Sequence, residues 1–205
     1  MGKHSQSIDS KIISRIRASG EGAVFTPRAF LDLGSREAVD QALSRHARAG
    51  TLRKLARGLY DLPRTHKRFG ELAASSDAIA AALKGRDAIR LQPTGAYAAN
   101  ILGLSDQVPM RLVFLTDGPT RRVTVGNRTI LLKHTTPRSM ATAGRASGLV
   151  IQALRWLRKE NVDDKVVAKL RRNLKPEDKA TLLADAHLAP AWISAIFHQL
   201  APGQG

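Results

Sequence analysis

The sequence has 205 residues, with 33 Lys and Arg against 17 Asp and Glu, a formal net charge of +16 and no cysteine. This length allows one large or two small domains, and 43% hydrophobic residues suffice for a folded core. The lack of cysteine excludes a disulfide framework, Cys-ligated zinc, iron–sulfur clusters and a thiol nucleophile.

The net charge points to a polyanionic partner, and nucleic acid is the commonest polyanion in a cytoplasm. Residues 1–68 hold 14 Lys or Arg and 6 Asp or Glu, so half of the excess lies in the first third of the chain. No apolar run approaches the roughly 18–20 residues of a membrane span, and the amino terminus lacks a signal-peptide pattern. We therefore expect a soluble cytoplasmic protein that makes no membrane contact.

Residues 1–66 show the pattern of three helices followed by a hairpin, which is the order of a winged helix-turn-helix. Isoleucine spacing, a Thr-Pro start and a Ser N-cap mark the helices, and short apolar runs around a glycine mark the hairpin. The predicted elements are a helix from Ile8 to about Ser19, a short helix from Thr26 to Gly34, a helix from Ser35 to about Ala49, and strands at 51–55 and 58–62.

The third predicted helix has one apolar and one polar side. At 100° per residue, Val39, Ala42 and Leu43 share a side with His46, which we interpret as a partly buried, hydrogen-bonded core histidine. The opposite side suits the major groove, where Gln pairs with adenine and Arg with guanine. The candidate DNA contacts on this helix are Arg36, Gln41, Ser44, Arg45 and Arg48.

The predicted hairpin adds three basic residues, Arg53, Lys54 and Arg57, which could reach phosphates or the minor groove beside the helix. The same pattern also fits an ordinary solvated surface. Winged helices also serve as protein-interaction modules.

Residues 67–205 predict a mixed α/β domain that ends in helices, so that the fold class of the whole chain is α+β. The predicted elements are a helix at 69–83, a strand at 88–92 broken at Pro93, a helix at 96–102, strands at 111–116, 121–125 and 128–133, and helices starting near Ser147, Val166, Pro176 and Pro190. On the first of these last helices, Leu149, Ala153, Trp156 and Leu157 are predicted to share the packed face.

Signals for an enzyme are weak. The chain has no phosphate-binding glycine motif and no G-x-S-x-G, and its six histidines show no metal-site spacing. A nucleotidyltransferase would need an Asp-x-Asp pair to hold two metal ions, and none occurs, so Ser35 is interpreted as a helix cap. We expect a non-enzymatic protein without a metal ion or other cofactor.

The carboxy-terminal helices carry a second set of basic residues: Arg155, Arg158, Lys159, Lys165, Lys169, Arg171, Arg172, Lys175 and Lys179. Acidic residues are interleaved with them, which is typical of a solvated helix surface. A surface for more DNA or for an acidic protein partner fits the same pattern. The sequence leaves these alternatives open.

Several runs together resemble a known family. Residues 50–63 (GTLRKLARGLYDLP), 92–95 (QPTG), 98–105 (AANILGLS) and 114–118 (FLTDG) occur in that order. They resemble the AbiEi-type antitoxins of abortive-infection toxin–antitoxin operons, whose members share the hairpin pattern G-x-[IL]-x-[RK]-[IL]-x-[RK]-G-[LIV]-Y-x-x-P. The similarity covers about residues 8–140, and the helices after about Ser147 match no motif of the family.

The resemblance implies a bacterial repressor and antitoxin. Its domain 1–66 would be the winged helix-turn-helix that binds inverted repeats of double-stranded DNA in its own promoter. Its domain 67–205 would counter a nucleotidyltransferase-type toxin. The alternative is a stand-alone winged-helix transcriptional regulator whose second domain senses a small ligand or a protein, and the oligomeric state is left open.

Overall fold

A computed structural model describes residues 7–201, and its fold class is α+β, as predicted. The chain divides into two compact units, Met1–Ala88 (unit 1) and Ile89–Gly205 (unit 2). The boundary predicted at 66/67 therefore lies inside unit 1. Each unit is described by itself.

Unit 1 contains helices, a three-stranded antiparallel sheet and a separate hairpin. Its elements are α1 (Ile8–Ala18), β1 (Val24–Phe25), a 3-10 helix (Pro27–Phe30), α2 (Arg36–Arg48), β2 (Arg53–Ala56), β3 (Leu59–Asp61), β4 (Arg64–His66), β5 (Gly70–Leu72) and α3 (Ser76–Asp87). The sheet has the order β1–β3–β2, and β4 and β5 form a separate two-stranded sheet.

Helix α2 begins and packs as its sequence indicates. The hydroxyl of Ser35 accepts a hydrogen bond from the amide of Ala38 at 3.3 Å and so caps the helix. Val39 and Leu43 are fully buried in a core shared with Ile12 and Ile16 of α1 and with Phe30. The apolar side of α2 is therefore fixed against the rest of unit 1, and its polar side faces solvent.

Two predicted elements of unit 1 differ in the structure. The segment after Thr26 forms one 3-10 turn, and the Thr26 side chain makes no capping hydrogen bond. The predicted helix at 69–83 is wrong in its first half: Gly70 adopts φ +68° and starts β5, and the helix begins only after Ser75. The hydroxyl of Ser75 accepts from the amide of Ala78 at 3.1 Å, so a cap signal for the true start was present in the sequence.

Unit 2 combines a four-stranded mixed sheet with five helices in its described part, residues 89–201. Its elements are β6 (Leu91–Thr94), α4 (Gly95–Ile101), β7 (Arg111–Thr116), β8 (Arg121–Val125), β9 (Arg128–His134), α5 (Ala146–Leu157), α6 (Asp164–Asn173), α7 (Pro176–Ala184) and α8 (Ala191–Leu200), with short 3-10 turns at Lys159–Asn161 and Ala186–Leu188.

The sheet of unit 2 has the order β6–β7–β9–β8, with β7 and β9 parallel and the other pairs antiparallel. The structure confirms the three strands predicted at 111–133, and Val125 pairs with Arg128 across the predicted two-residue turn. The predicted strand at 88–92 is shifted, because Pro93 does not break it. Pro93 pairs with Phe114, which is allowed because β6 is an edge strand.

The helices of unit 2 enclose an apolar core. Val150, Ala153 and Leu154 of α5 are fully buried there. The predicted packed face of this helix is wrong at Trp156, which is 44% exposed, because the buried side is centred on Val150 and Leu154 instead. A buried polar contact fixes the start of α5: the Ser147 hydroxyl and the Arg145 guanidinium both donate to the carboxylate of Asp185.

Within residues 7–201, none of the helices has both the length and the apolar character needed to cross a bilayer.

Candidate nucleic-acid interface

The solvent side of α2 presents a row of polar and basic side chains. Gln41, Arg45 and Arg48 are exposed, and Ser44 between them is half-buried. The Arg48 Nη2 donates to the Ser44 hydroxyl at 3.3 Å, so these two side chains lie together one turn apart. The structure thus places four of the predicted DNA contacts on one face of one helix.

Arg36 lies at the first residue of α2, to one side of this row. Its Nε is 2.8 Å from the carboxylate of Asp40, and both side chains are about half exposed. An exposed pair of this kind contributes only about 0–1 kcal/mol to stability. Arg36 is therefore loosely held, and its guanidinium is available to an anionic ligand that offers a better geometry.

Arg45 is held by a carboxylate from α1. Its Nη2 donates to Asp9 at 2.8 Å, and 62% of the Arg45 side chain stays exposed. The Nε2 of His46 lies 3.1 Å from the other oxygen of Asp9, in a geometry that is not a hydrogen bond. The hydrogen bond from Arg45, and to a lesser extent the neighbouring His46, lowers the pKa of Asp9 below its ordinary value. His46 is mostly buried, as predicted, but the predicted hydrogen bond of its ring is wrong for Nε2, which has no hydrogen-bond partner within residues 7–201.

The three basic residues predicted on the hairpin of β2 and β3 do not all face solvent. Lys54 and Arg57 are exposed, and Arg57 lies in the turn. Arg53 points the other way, because it lies directly opposite the fully buried Asp61 in the antiparallel register. Its guanidinium donates to both Asp61 oxygens, at 3.1 and 2.6 Å. Arg53 is therefore part of the internal structure of unit 1 and is not presented to a ligand as Lys54 and Arg57 are.

Arg53 also connects the β2–β3 hairpin to the next one. Its Nη2 donates to the carbonyl oxygen of Leu72 at 2.9 Å, and its Nη1 is 3.4 Å from Glu71, both in β5. The hydrogen bonds to Asp61 raise the pKa of Arg53 above its ordinary value. One side chain thus positions two neighbouring hairpins.

The hairpin of β4 and β5 was not predicted from the sequence, and it carries a further group of exposed cations and rings. Arg64, His66, Lys67, Arg68 and Phe69 are all exposed. The basic run at 64–68 was visible in the sequence, but the helix predicted from residue 69 concealed its place on a hairpin. Gly70, directly after the three-residue segment Lys67-Arg68-Phe69, is the signal that could have indicated the turn.

No group of three or more metal-ligating side chains lies close together within residues 7–201.

The profile of one protein family matches residues 11–182 of the chain, which is well over half of its length. The chain belongs to DUF6088, a family of unknown function. The match of this DUF6088 chain begins inside α1 and ends inside α7, so it includes the α2 face and both hairpins. No curated protein sequence matches the chain.

The basic residues predicted on the carboxy-terminal helices lie on the outside of unit 2. Eight of the nine are exposed, and Lys179 is half-buried. The Arg171 guanidinium donates to the carbonyl oxygen of Gln199 at 3.0 Å, and Lys175 lies 4.0 Å from Glu177. These contacts are those of ordinary surface cations, and they favour no partner over another.

Proposed function

We propose that unit 1 of this protein binds double-stranded DNA as a winged helix-turn-helix and that the protein is a repressor-antitoxin of its own operon. The exposed face of α2 is the observation that carries the DNA-binding part. It combines a Gln, a Ser and two Arg side chains on the solvent side of a helix whose opposite side is buried.

The dimensions and chemistry of duplex DNA fit this face. The major groove admits one α-helix, and bidentate pairs of Arg with guanine and of Gln with adenine are the common specific contacts there. We assign base contacts to Gln41, Arg45 and Arg48, with Ser44 and Arg36 beside them. Lys54 and Arg57 contact phosphates, and Arg53 positions the hairpin that carries them.

Replacing both Arg45 and Arg48 with alanine is expected to weaken binding to the promoter DNA of the protein's own gene. Loss of one good bidentate base contact costs about 1–3 kcal/mol, so the double variant should bind at least 10-fold more weakly. The measurement is fluorescence anisotropy with a labelled duplex from the region upstream of the gene, at two salt concentrations.

The control is Arg111→Ala with Lys133→Ala, which removes the same charge from exposed strand residues of unit 2. We expect this control to bind like the unaltered protein. Equal affinity of the α2 double variant and the unaltered protein would reject the assignment of this helix to the groove.

The antitoxin role is supported by the resemblance of residues 50–63, 92–95, 98–105 and 114–118 to the AbiEi-type antitoxins. The chain has no Asp-x-Asp pair, which agrees with a division of labour in which the partner toxin carries the catalytic carboxylates. We place the protein in the cytoplasm, with the toxin as its protein partner and without enzymatic activity of its own.

An adjacent reading frame with a Gly-Ser and Asp-x-Asp nucleotidyltransferase signature is expected beside the gene. Induction of that frame should arrest growth, and co-expression of this protein should restore it. An isolated gene, or a growth arrest that this protein does not relieve, would contradict the antitoxin role and favour a stand-alone regulator. Purified protein that converts nucleotides without any partner would contradict both.

A further inference from the structure

The β4–β5 hairpin ends in an exposed aromatic ring. Lys67, Arg68 and Phe69 form a three-residue turn, and Gly70 closes it with φ +68°, a left-handed conformation that glycine adopts without strain. Phe69 is 69% exposed, more than any other large hydrophobic side chain within residues 7–201. A ring in this place contributes little to the core of unit 1.

The ring is nevertheless held in one orientation. It stacks on the imidazole of His66, with 4.9 Å between the ring centroids and 27° between the ring planes. The Arg68 guanidinium lies 5.7 Å from the centroid of the Phe69 ring, and the Arg68 amide donates to His66 Nδ1 at 3.2 Å. Less rotational freedom therefore remains to be lost when Phe69 meets a ligand.

The charges around the ring are almost all positive. Arg64, Lys67 and Arg68 are exposed, whereas Glu71 is the only carboxylate of the hairpin sequence. Glu71 faces Arg53 at 3.4 Å, which offsets its charge within unit 1. The tip is thus a cationic surface with an apolar, planar centre.

The hairpin is fixed to the domain that carries the α2 face. An isolated two-stranded hairpin is marginally stable in water. Here the hydrogen bonds from Arg53 to Leu72 and to the buried Asp61 tie β5 to the three-stranded sheet. Its tip therefore has a defined place within unit 1.

We propose that this tip is a second DNA-binding element, in which Phe69 enters the minor groove and wedges between base pairs while Arg64, Lys67 and Arg68 contact phosphates. Apolar wedges flanked by Arg or Lys unstack a base step and bend the duplex towards the major groove. The proposal rests on the proposed DNA binding of unit 1 and extends it from a helix in the major groove to a second contact that deforms the DNA.

The test uses the full chain and duplexes from the region upstream of the gene, with the binding region moved along fragments of constant length to measure DNA bending. Phe69→Ala is expected to weaken binding about 5- to 150-fold, the range for loss of one aromatic–base stack, and to reduce the bend. Phe69→Leu should keep most of the bend, because leucine also serves as a wedge. Val108→Ala is the control: Val108 is 66% exposed but belongs to unit 2, and this variant should bind and bend normally.

The outcomes separate this proposal from the one on which it rests. If the unaltered protein binds no duplex, the proposed function fails. If it binds and Phe69→Ala keeps both affinity and bend, the wedge alone is wrong and the α2 assignment stands. Binding to vesicles of anionic lipid that depends on Phe69, with DNA binding unchanged, would also overturn the wedge and assign the tip to a membrane surface.

Discussion

Arg53→Met is expected to lower the free energy of unfolding of unit 1 by about 3 kcal/mol, the lower end of the cost of removing one partner of a buried ion pair, because the Arg53 side chain is 29% exposed. Asp61 is fully buried, and its two oxygens accept hydrogen bonds from the Arg53 guanidinium. Without that guanidinium the buried carboxylate loses the partner that offsets the cost of its burial. The same variant also removes the tie to β5, so the β4–β5 hairpin should lose protection as well.

The measurement is hydrogen exchange by mass spectrometry as a function of urea, followed on peptides from residues 53–61. Tryptophan fluorescence does not serve here, because Trp156 and Trp192 both lie in unit 2. Arg57→Met, an exposed arginine of the same hairpin, is the matched control and should change stability by less than about 0.5 kcal/mol.

Arg53→Met combined with Asp61→Leu should recover most of the loss, because a buried ion pair is often replaceable by apolar residues of similar volume. If Arg53→Met alone has the same free energy of unfolding as the Arg57→Met control, Asp61 does not depend on this partner. In that case Arg53 would return to the predicted phosphate contacts.

Gly148→Ala is expected to destabilise unit 2 by about 2–3 kcal/mol, at the upper end for overpacking. A Cβ on Gly148 would overlap the carbonyl group of Thr142 and would lie 2.5 Å from Gln92 Oε1. The carbonyl group belongs to the backbone, so it does not move aside as the end of a long side chain would. Helix α5 must shift as a whole, and with it the buried contact of Ser147 with Asp185.

Gly85→Ala in α3 supplies the control for helix propensity. A Cβ at Gly85 meets nothing within 4 Å, so the substitution should stabilise unit 1 by about 0.5–1 kcal/mol. The two glycine variants therefore differ in sign, although each places an alanine in a helix. Urea-dependent hydrogen exchange measures the stability of the two units in one experiment. If Gly148→Ala instead stabilises unit 2, the close approach of α5 to Thr142 is absent.

Much of the architecture follows from short-range signals. The Ser35 cap and the helical spacing of apolar and polar residues along α2 predict this helix and its polar face. Alternation and the two-residue turn at 126–127 likewise predict β8 and β9. These signals work because a cap, a turn or one side of a helix depends on residues only a few positions apart.

The candidate site was predicted only in part. Gln41, Ser44, Arg45 and Arg48 share the predicted face, and Lys54 and Arg57 are exposed on the predicted hairpin. The partner of Arg45 was not foreseen, because Asp9 is 36 residues away in α1. The aromatic tip of the second hairpin was concealed by the alanine-rich stretch behind it, whose helical pattern extends too far towards the amino terminus.

The basic residues in the first third of the chain show which features follow from local pattern and which depend on the folded structure. Helical periodicity is a local property of the chain, so the residue pattern alone predicts that α2 has one apolar and one charged side. Which cations remain available to a ligand depends on long-range packing. Arg53 is turned inward because strand register sets it opposite the buried Asp61, whereas Phe69 and its neighbouring cations are turned outward because a left-handed glycine closes their hairpin. Pairings of this kind depend on chain segments that meet only after folding, and composition and periodicity carry no information about them.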